Sequence, residues 1–396
     1  MIEPVFLAER LAELEPQGRS RPVEVVRAPG RVNLIGEYTD VNDGFVLPAA
    51  IDLEIRIGFI PTDDRRVVLH RLGADGTVVE EGRAIFDLDA LPDRSGRWAD
   101  YAIGMARSLG EAGLRTRGIR GVIASTLPVG AGLSSSAAIE MAVAHTLLES
   151  ELDAVDPLDL ARLGRRAEND FVGVQSGLMD QFASNAGRDG AALLLDCRTL
   201  EWRPVPLPLD EVSLVVCDTS ATRRLAGSEY NVRRAQCDQA VAVLGRDDPS
   251  IRALRDVEPD AVSAAVREGR LDPLVGRRAE HIVTENKRVH ATVAALESGD
   301  LDAVAEAFAA SHASLRDCFE VSSPALDAMV EIALATPGVV AARMTGAGFG
   351  GCTVNLVRPD AVDRLRLAVE ERYPARTGLT PRIYAVRPVR GAGRMD

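Results

Sequence analysis

Between Gly130 and Ser136 the chain runs Gly130-Ala131-Gly132-Leu133-Ser134-Ser135-Ser136, two glycines and three hydroxyls in seven residues, and then enters a mostly apolar, helix-forming stretch at 137–148. Small residues let successive backbone N–H groups converge, and the helix start behind them adds a positive dipole end. That combination suits a phosphate. A buried turn whose serines cap the helix would have the same composition. A second cluster, Gly346-Ala347-Gly348-Phe349-Gly350-Gly351, satisfies G-x-G-x-x-G literally. Dinucleotide binding through that pattern needs a helix after the glycines, whereas residues 352–357 alternate as a strand. The cluster is either a tight hairpin or a loop brought beside the first glycine run to shape a phosphate site.

Two further segments carry reactive side chains. Residues 27–40 offer Arg31, Glu37, Tyr38, Thr39 and Asp40 in a short span. A polyhydroxylated ligand fits such a set, because carboxylates accept several hydroxyl hydrogen bonds; a plain solvated loop has the same content. Glu168 precedes Val174-Gln175-Ser176-Gly177-Leu178-Met179-Asp180-Gln181-Phe182. Asp180 falls at a turn-to-helix junction, where its alternative role is an N-cap.

Periodicity predicts the elements that hold these segments. Helices are expected at 4–14, 98–112, 158–171 (ending near Gly173) and 177–186, then at 232–244, 261–268, 273–298, 303–314 and 324–335. Strands are expected at 23–27, 53–60, 66–72, 77–86, 121–126, 191–195, 212–218, 339–344, 352–357 and 382–388, with 30–47 rich in turn formers. The order is mixed rather than alternating, which points to an α+β protein. At 396 residues, two lobes sharing a cleft fit, divided near the proline-rich stretch 203–208 into 1–205 and 206–396.

Composition removes several function classes. A net charge of −13 argues against nucleic-acid or anionic-membrane partners, which call for a basic face. No apolar run approaches the roughly 20 residues of a membrane span. The first residues lack the basic start and long apolar stretch of a signal peptide, so a cytoplasmic location is the expectation. The five cysteines are odd in number, with no C-x-x-C pair, and read as reduced thiols. Lys287 is the sole lysine and has no glycine loop before it. A Walker-A loop and a protein-kinase strand lysine are therefore both absent.

Taken together, the clusters resemble the GHMP small-molecule kinases, whose three motifs occur in this order. Within them the resemblance narrows to the galactokinase family. Residues 30–40 with Phe45-Val46-Leu47-Pro48 are similar to its N-terminal signature, and Gly177 to Ser184 to its G-[IL]-M-D-Q-F-A-S segment. Ser228-Glu229-Tyr230-Asn231-Val232-Arg233-Arg234 and Ser311-His312-Ala313-Ser314-Leu315-Arg316 resemble further family stretches. The resemblance implies a two-lobed fold, with an N-terminal ribosomal protein S5-like lobe and a C-terminal ferredoxin-like α/β-plait lobe with extra helices. It implies transfer of the γ-phosphoryl of ATP to the anomeric hydroxyl of galactose, with Mg²⁺ as cofactor and a monomer as the expected assembly. Asp180 would be the general base, and Arg31 would sit against it and stabilise the charge that develops on transfer. Ser136 and Glu168 would hold Mg²⁺, and residues Gly130, Ala131, Gly132, Leu133, Ser134, Ser135 and Ser136 would wrap the nucleotide phosphates. Glu37, Tyr38, Thr39, Asp40, Gly177 and Tyr230 would form the sugar pocket. Tyr38 stands where the family usually has His, Val41 where it has Tyr, and Ser176 where Cys is common. These departures leave the reacting groups intact and bear on which sugar is taken. N-acetylgalactosamine or arabinose is the alternative substrate. A non-catalytic sugar- and ATP-binding regulator is the alternative class, one that tends to lose part of the serine loop kept here.

Overall fold

A computed structural model of the chain describes residues 2–16, 21–128, 130–148, 155–222 and 226–395, the side chains of 226–228 apart. Its first half comprises α1 (Pro4–Leu14), β1 (Glu24–Asn33), β2 (Phe45–Val46), β3 (Pro48–Thr62), β4 (Arg66–Leu72), β5 (Val78–Asp87), α2 (Ala99–Glu111), β6 (Gly118–Ser125), α3 (Ser135–Leu147), α4 (Pro157–Arg166), α5 (Met179–Ala186), β7 (Ala191–Asp196) and β8 (Trp202–Pro206). The second half holds β9 (Ser213–Asp218), α6 (Ala226–Leu244), α7 (Pro259–Arg267), α8 (Pro273–Ser298), α9 (Leu301–Asp317), α10 (Pro324–Leu334), β10 (Val339–Thr345), β11 (Cys352–Val357), α11 (Val362–Thr377), β12 (Arg382–Val386) and β13 (Gly393–Met395).

Six strands in the order β13–β1–β3–β6–β4–β5 make the first sheet, antiparallel except between β4 and β6. Alternation along β1 sends Val25 to one face and Val26 to the other. Val25 joins Leu7 and Leu11 of α1, while Val26 joins the main core with Met141 and Ala142 of α3. Both faces are thus covered, which accounts for the nearly unbroken burial along β3. α3 is buried on all sides and has no polar stripe to show. Its N-terminus is aimed by that packing.

The second sheet has the order β10–β11–β9–β12 and is antiparallel throughout. Chain order 1-2-3-4 becomes spatial order 2-3-1-4, the α/β-plait arrangement, with α6 to α10 inserted between its first two strands. α10 and α11 cover one face. Leu214, Val216 and Val354 on the other face join the core of the first lobe. A third sheet, β2–β7–β8, completes the fold.

Four departures from expectation have physical causes. β1 continues to Asn33 instead of ending at 27, through a register slip at Pro29/Gly30, so Arg31 stands on a strand rather than in a loop. β8 contains Pro204 and Pro206, and it tolerates them because it is an edge strand. α11 has no clear apolar stripe and carries Pro374 near its end, which hides its period. β13 has three residues and pairs with Val25–Arg27 of β1, so the C-terminus returns to the first sheet. The boundary expected at 205/206 falls at the end of β8.

Among the described residues no helix is long and apolar enough to cross a membrane. None of the five cysteines is in a disulfide. Lys287 pairs with Glu258 on the surface.

Candidate active site

Arg31 is the meeting point of three segments. The slip at Pro29/Gly30 re-aims the end of β1 and turns the guanidinium toward α5. Its Nε donates to Asp180 Oδ1 and its Nη2 to Oδ2, both at 2.8 Å, while Nη1 donates to the carbonyl of Gly132 at 2.8 Å. The backbone N–H of Arg31 donates to Leu133 O at 3.2 Å. Asp180 sits in the first turn of α5, whose N-cap position is Leu178. Its carboxylate serves Arg31 and the hydroxyl of Ser134, not the helix end.

The glycine run alternates in hand. Gly130 (φ 77°), Gly132 (φ 80°) and Ser134 (φ 59°) are all left-handed, a pattern that points successive N–H groups into one concavity. For Ser134, which has a Cβ, this conformation is uncommon; such strain gathers at functional sites. Ser134 is the N-cap residue of α3 but makes no side-chain bond to the helix. Its hydroxyl is committed to Asp180. Ala131 and Leu133 turn into the core, which fixes the loop from behind.

Glu168 is presented by an irregularity. After Arg166 the helix widens into a π turn over Ala167–Val172, ended by Gly173 at φ 86°. Such π turns are frequent at functional sites. Glu168 accepts from Ser176 Oγ at 2.5 Å and Gln181 Nε2 at 2.9 Å, and Ser136 also hydrogen-bonds to it. Burial raises the Glu168 carboxyl above its usual range and the charge of Asp180 adds to this, while the three donors oppose it. Beneath it, Gln181 Nε2 also donates to Glu140 Oε2 at 2.9 Å. Burial and the charge of Glu168 push Glu140 well above the carboxylate range, which favours its neutral acid.

On the opposite side of Asp180, Asp40 approaches Gly177 so closely that a Cβ there would stand 1.8 Å from Asp40 Oδ2. Burial, followed by the charge of Asp180, raises the Asp40 carboxyl to about 6. Tyr38 takes a left-handed backbone (φ 65°). Its ring stacks on Tyr230 at 5.0 Å and lies 4.6 Å from Phe319, and its hydroxyl donates to Ala347 O at 2.7 Å.

Glu37 is held differently. Its carboxylate is buried against the guanidinium of Arg343, and Gly346 N donates to Oε1 at 3.1 Å. Burial raises its pKa, with Arg343 opposing. Arg343 also donates to Leu34 O at 2.7 Å. The second glycine cluster is a hairpin loop between β10 and β11, closed by Thr345 opposite Cys352. It also lies against the first loop, since a Cβ on Gly346 would contact Gly132 O at 3.4 Å. The cluster is thus a tight hairpin that also stands beside the first glycine run.

A cavity of about 760 Å³ runs between these groups. Its polar part gathers Arg31, Glu37, Tyr38, Asp40, Gly130, Gly132, Ser134, Ser135, Ser136, Glu168, Gly177, Asp180 and Tyr230. Ile55, Leu72, Val79, Trp98, Ile123 and Leu127 add apolar surface to the same cavity, with Arg71 also on its lining.

The galactokinase galactose-binding signature matches residues 17–59, and the GHMP kinase N-terminal and C-terminal domains match residues 100–188 and 292–375. Galactokinase of Roseiflexus sp. (strain RS-1) is 45% identical over 374 residues, 94% of this chain and 93% of that protein. The chain belongs to the galactokinase family. The crystal structure of Lactococcus lactis galactokinase complexed with galactose matches with TM-score 0.90 and 35% identity, covering 98% of each chain. Methanococcus jannaschii mevalonate kinase, 16% identical, shares the fold at TM-score 0.65 over 92% of this chain and 98% of its own. The architecture is the two-lobed GHMP kinase fold.

Against the galactokinase motifs, three expected residues lie outside the cavity. Ala131 and Leu133 are the core-facing pair of the loop. Thr39 directs its hydroxyl to Gly36 O at 2.8 Å and Phe45 O at 2.6 Å, so it shapes the turn that carries Asp40. The side chain of Ser228 lies outside the described residues. Sequence reasoning gave no role to Gln181, Arg343 or Trp98. Gln181 could have been found from its place beside Asp180. Arg343, a charge in an otherwise apolar strand, carries a weaker signal, and Trp98 none.

The Glu37–Arg343 pair gives a test of this arrangement. Arg343→Met should cost about 3–5 kcal/mol in chemical denaturation, because it strands a buried carboxylate. Adding Glu37→Gln should recover much of that loss. A double variant at least as unstable as the sum of the single ones would contradict the pairing.

Proposed function

We propose that the chain transfers the γ-phosphoryl of ATP to the anomeric hydroxyl of galactose, giving galactose 1-phosphate and ADP. The observation that carries this reading is the position of Asp180. Its carboxylate is held by Arg31 and Ser134 between a concave run of backbone N–H groups and the pocket around Asp40 and Gly177. A proton acceptor there lies between a phosphate site and a hydroxyl-rich ligand. The size of the cavity, about 760 Å³, is in the range of pockets that enclose drug-sized ligands. Its apolar lining suits an adenine ring, with Trp98 offering an aromatic face.

In this mechanism Asp180 accepts the proton of the sugar C1 hydroxyl as its oxygen bonds to the γ-phosphorus and the bridging P–O bond to ADP breaks. Positioning and charge neutralisation supply most of the catalysis in such transfers. Arg31 fixes the carboxylate in a two-pronged grip and places positive charge at the reacting centre. The N–H groups of the loop and the start of α3 receive phosphate oxygens. Asp40, with the backbone at Gly177 and the phenol of Tyr230, binds sugar hydroxyls. Glu37 shapes the same wall while its own oxygens stay with Arg343 and Gly346.

Ser136 and Glu168 fit a Mg²⁺ ion. Both offer hard oxygen donors and they are hydrogen-bonded to each other. Among the described residues no group of three or more His, Cys, Asp or Glu could hold a metal ion. An ion there would take one carboxylate and complete its shell with water and substrate phosphates. When bound there, Mg²⁺ would neutralise phosphate charge. ATP as substrate and five cysteines outside any disulfide fit a cytoplasmic enzyme.

ADP release on mixing protein, ATP, Mg²⁺ and galactose tests the proposal. Binding of both ligands without turnover would mark a regulator instead. Higher kcat/KM on N-acetylgalactosamine or arabinose would overturn the choice of sugar. Asp180→Asn should lower kcat by about 10²–10⁴-fold with the fold intact by circular dichroism, and near-normal turnover would remove Asp180 as the base. Asp40 gives a pH signature. It is ionised above about 6 and loses an acceptor as the pH falls through that value. The galactose dissociation constant should therefore rise on acidification, approaching about tenfold per pH unit well below 6. Asp40→Asn should flatten the profile; an unchanged slope would place the titration elsewhere.

A further inference from the structure

The loop between the π turn and α5 folds back as a clasp on Glu168. Gly173 N and Val174 N both donate to Glu168 O, at 2.8 and 3.1 Å. Asn169 grips the returning strand of the loop, with Ser176 N donating to its Oδ1 at 3.0 Å and its Nδ2 donating to Ser176 O at 3.3 Å. This grip brings Ser176 Oγ to 2.5 Å from Glu168 Oε2, while its distance to Asn169 Oδ1 is 3.2 Å. The hydroxyl has one proton, and the shorter contact to the carboxylate is the stronger claim on it. From the other side, Gln181 Nε2 donates to the same oxygen at 2.9 Å. That amide is itself oriented by its second bond, to Glu140 Oε2. Glu140 is fully buried between α3, α4 and α5. Two donors thus converge on Oε2 from segments on either side of Asp180.

We infer that Ser176 and Gln181 are positioning residues which hold Glu168 by Oε2, so that Oε1 is the oxygen offered to a divalent cation beside Ser136. The inference rests on the proposed cation role of Glu168 and goes beyond it in saying how the ligand is aimed. An unheld carboxylate rotates about its last torsion and can present either oxygen or both. A carboxylate held at one oxygen offers a single donor in a set direction. Outer contacts of this kind commonly change metal affinity or activity about 10–100-fold when removed. Arg31 is not part of this clasp, which separates the aim of the cation ligand from the aim of the base.

The test uses Mn²⁺ as a paramagnetic probe, with enzyme-bound ion measured by electron paramagnetic resonance in the presence of saturating ADP. Ser176→Ala should weaken Mn²⁺ binding about tenfold or more, and Ser176→Cys, a weaker donor, should fall between it and the parent protein. Galactose affinity, read separately by calorimetry, should stay near the parent value in both. Equal losses of Mn²⁺ and galactose in Ser176→Ala would show a loop that has merely come apart, and would overturn the inference. So would parent-like Mn²⁺ binding in Ser176→Ala alongside its loss in Glu168→Gln. Retention of Mn²⁺ by Glu168→Gln would instead remove the cation role of Glu168, and the inference with it.

Discussion

One guanidinium organises the site. Arg31 spends two N–H groups on Asp180 and a third on the carbonyl of Gly132, tying a strand end, a helix start and the glycine loop into one geometry. A buried ion pair is weak evidence for stability, because desolvating two charges offsets most of their attraction. What it supplies here is direction. The planar fork of arginine admits a narrow range of positions for the carboxylate. The same group sets the height of the loop through Gly132, so Asp180 and the glycine loop cannot drift independently.

The rest of the fold serves that junction. α3 is buried along most of its length and carries the loop at its start, while the bulge in β1 turns Arg31 inward. The second lobe closes the site through its hairpin loop, where Gly346 N binds Glu37 and Ala347 O receives the phenol of Tyr38. The adjacent residues Glu37 and Tyr38 are thereby fastened to the loop that abuts Gly132. The substituted Tyr38 keeps a defined partner, and its ring extends an aromatic layer with Tyr230 and Phe319. Its effect on sugar choice would come through the shape of that wall.

The parts most legible in the sequence were those with strong local signals. α1 and α8 begin at prolines and match their expected bounds, because such starts need no tertiary help. The four reactive clusters were visible as residue types, and the cavity gathers most of them. Sequence could not show that the Ser134 hydroxyl, at the N-cap position, turns from the helix end to Asp180, since that depends on a left-handed backbone set by the core beneath Ala131 and Leu133. Nor could it show Arg343 reaching Glu37 across 306 positions of chain, where no local period connects the two. β8 and α11 were obscured by prolines that an edge strand and a helix end can accept.

A single guanidinium thus aligns Asp180 and the glycine loop together. Replacing Arg31 by lysine keeps the charge but removes the fork and the simultaneous reach to Gly132 O. Single-turnover phosphoryl transfer measured with saturating ATP and galactose should then fall by about a hundredfold or more, with melting temperature nearly unchanged. A lysine variant that transfers phosphoryl at the parent rate would show that the fork of Arg31 is not needed for alignment.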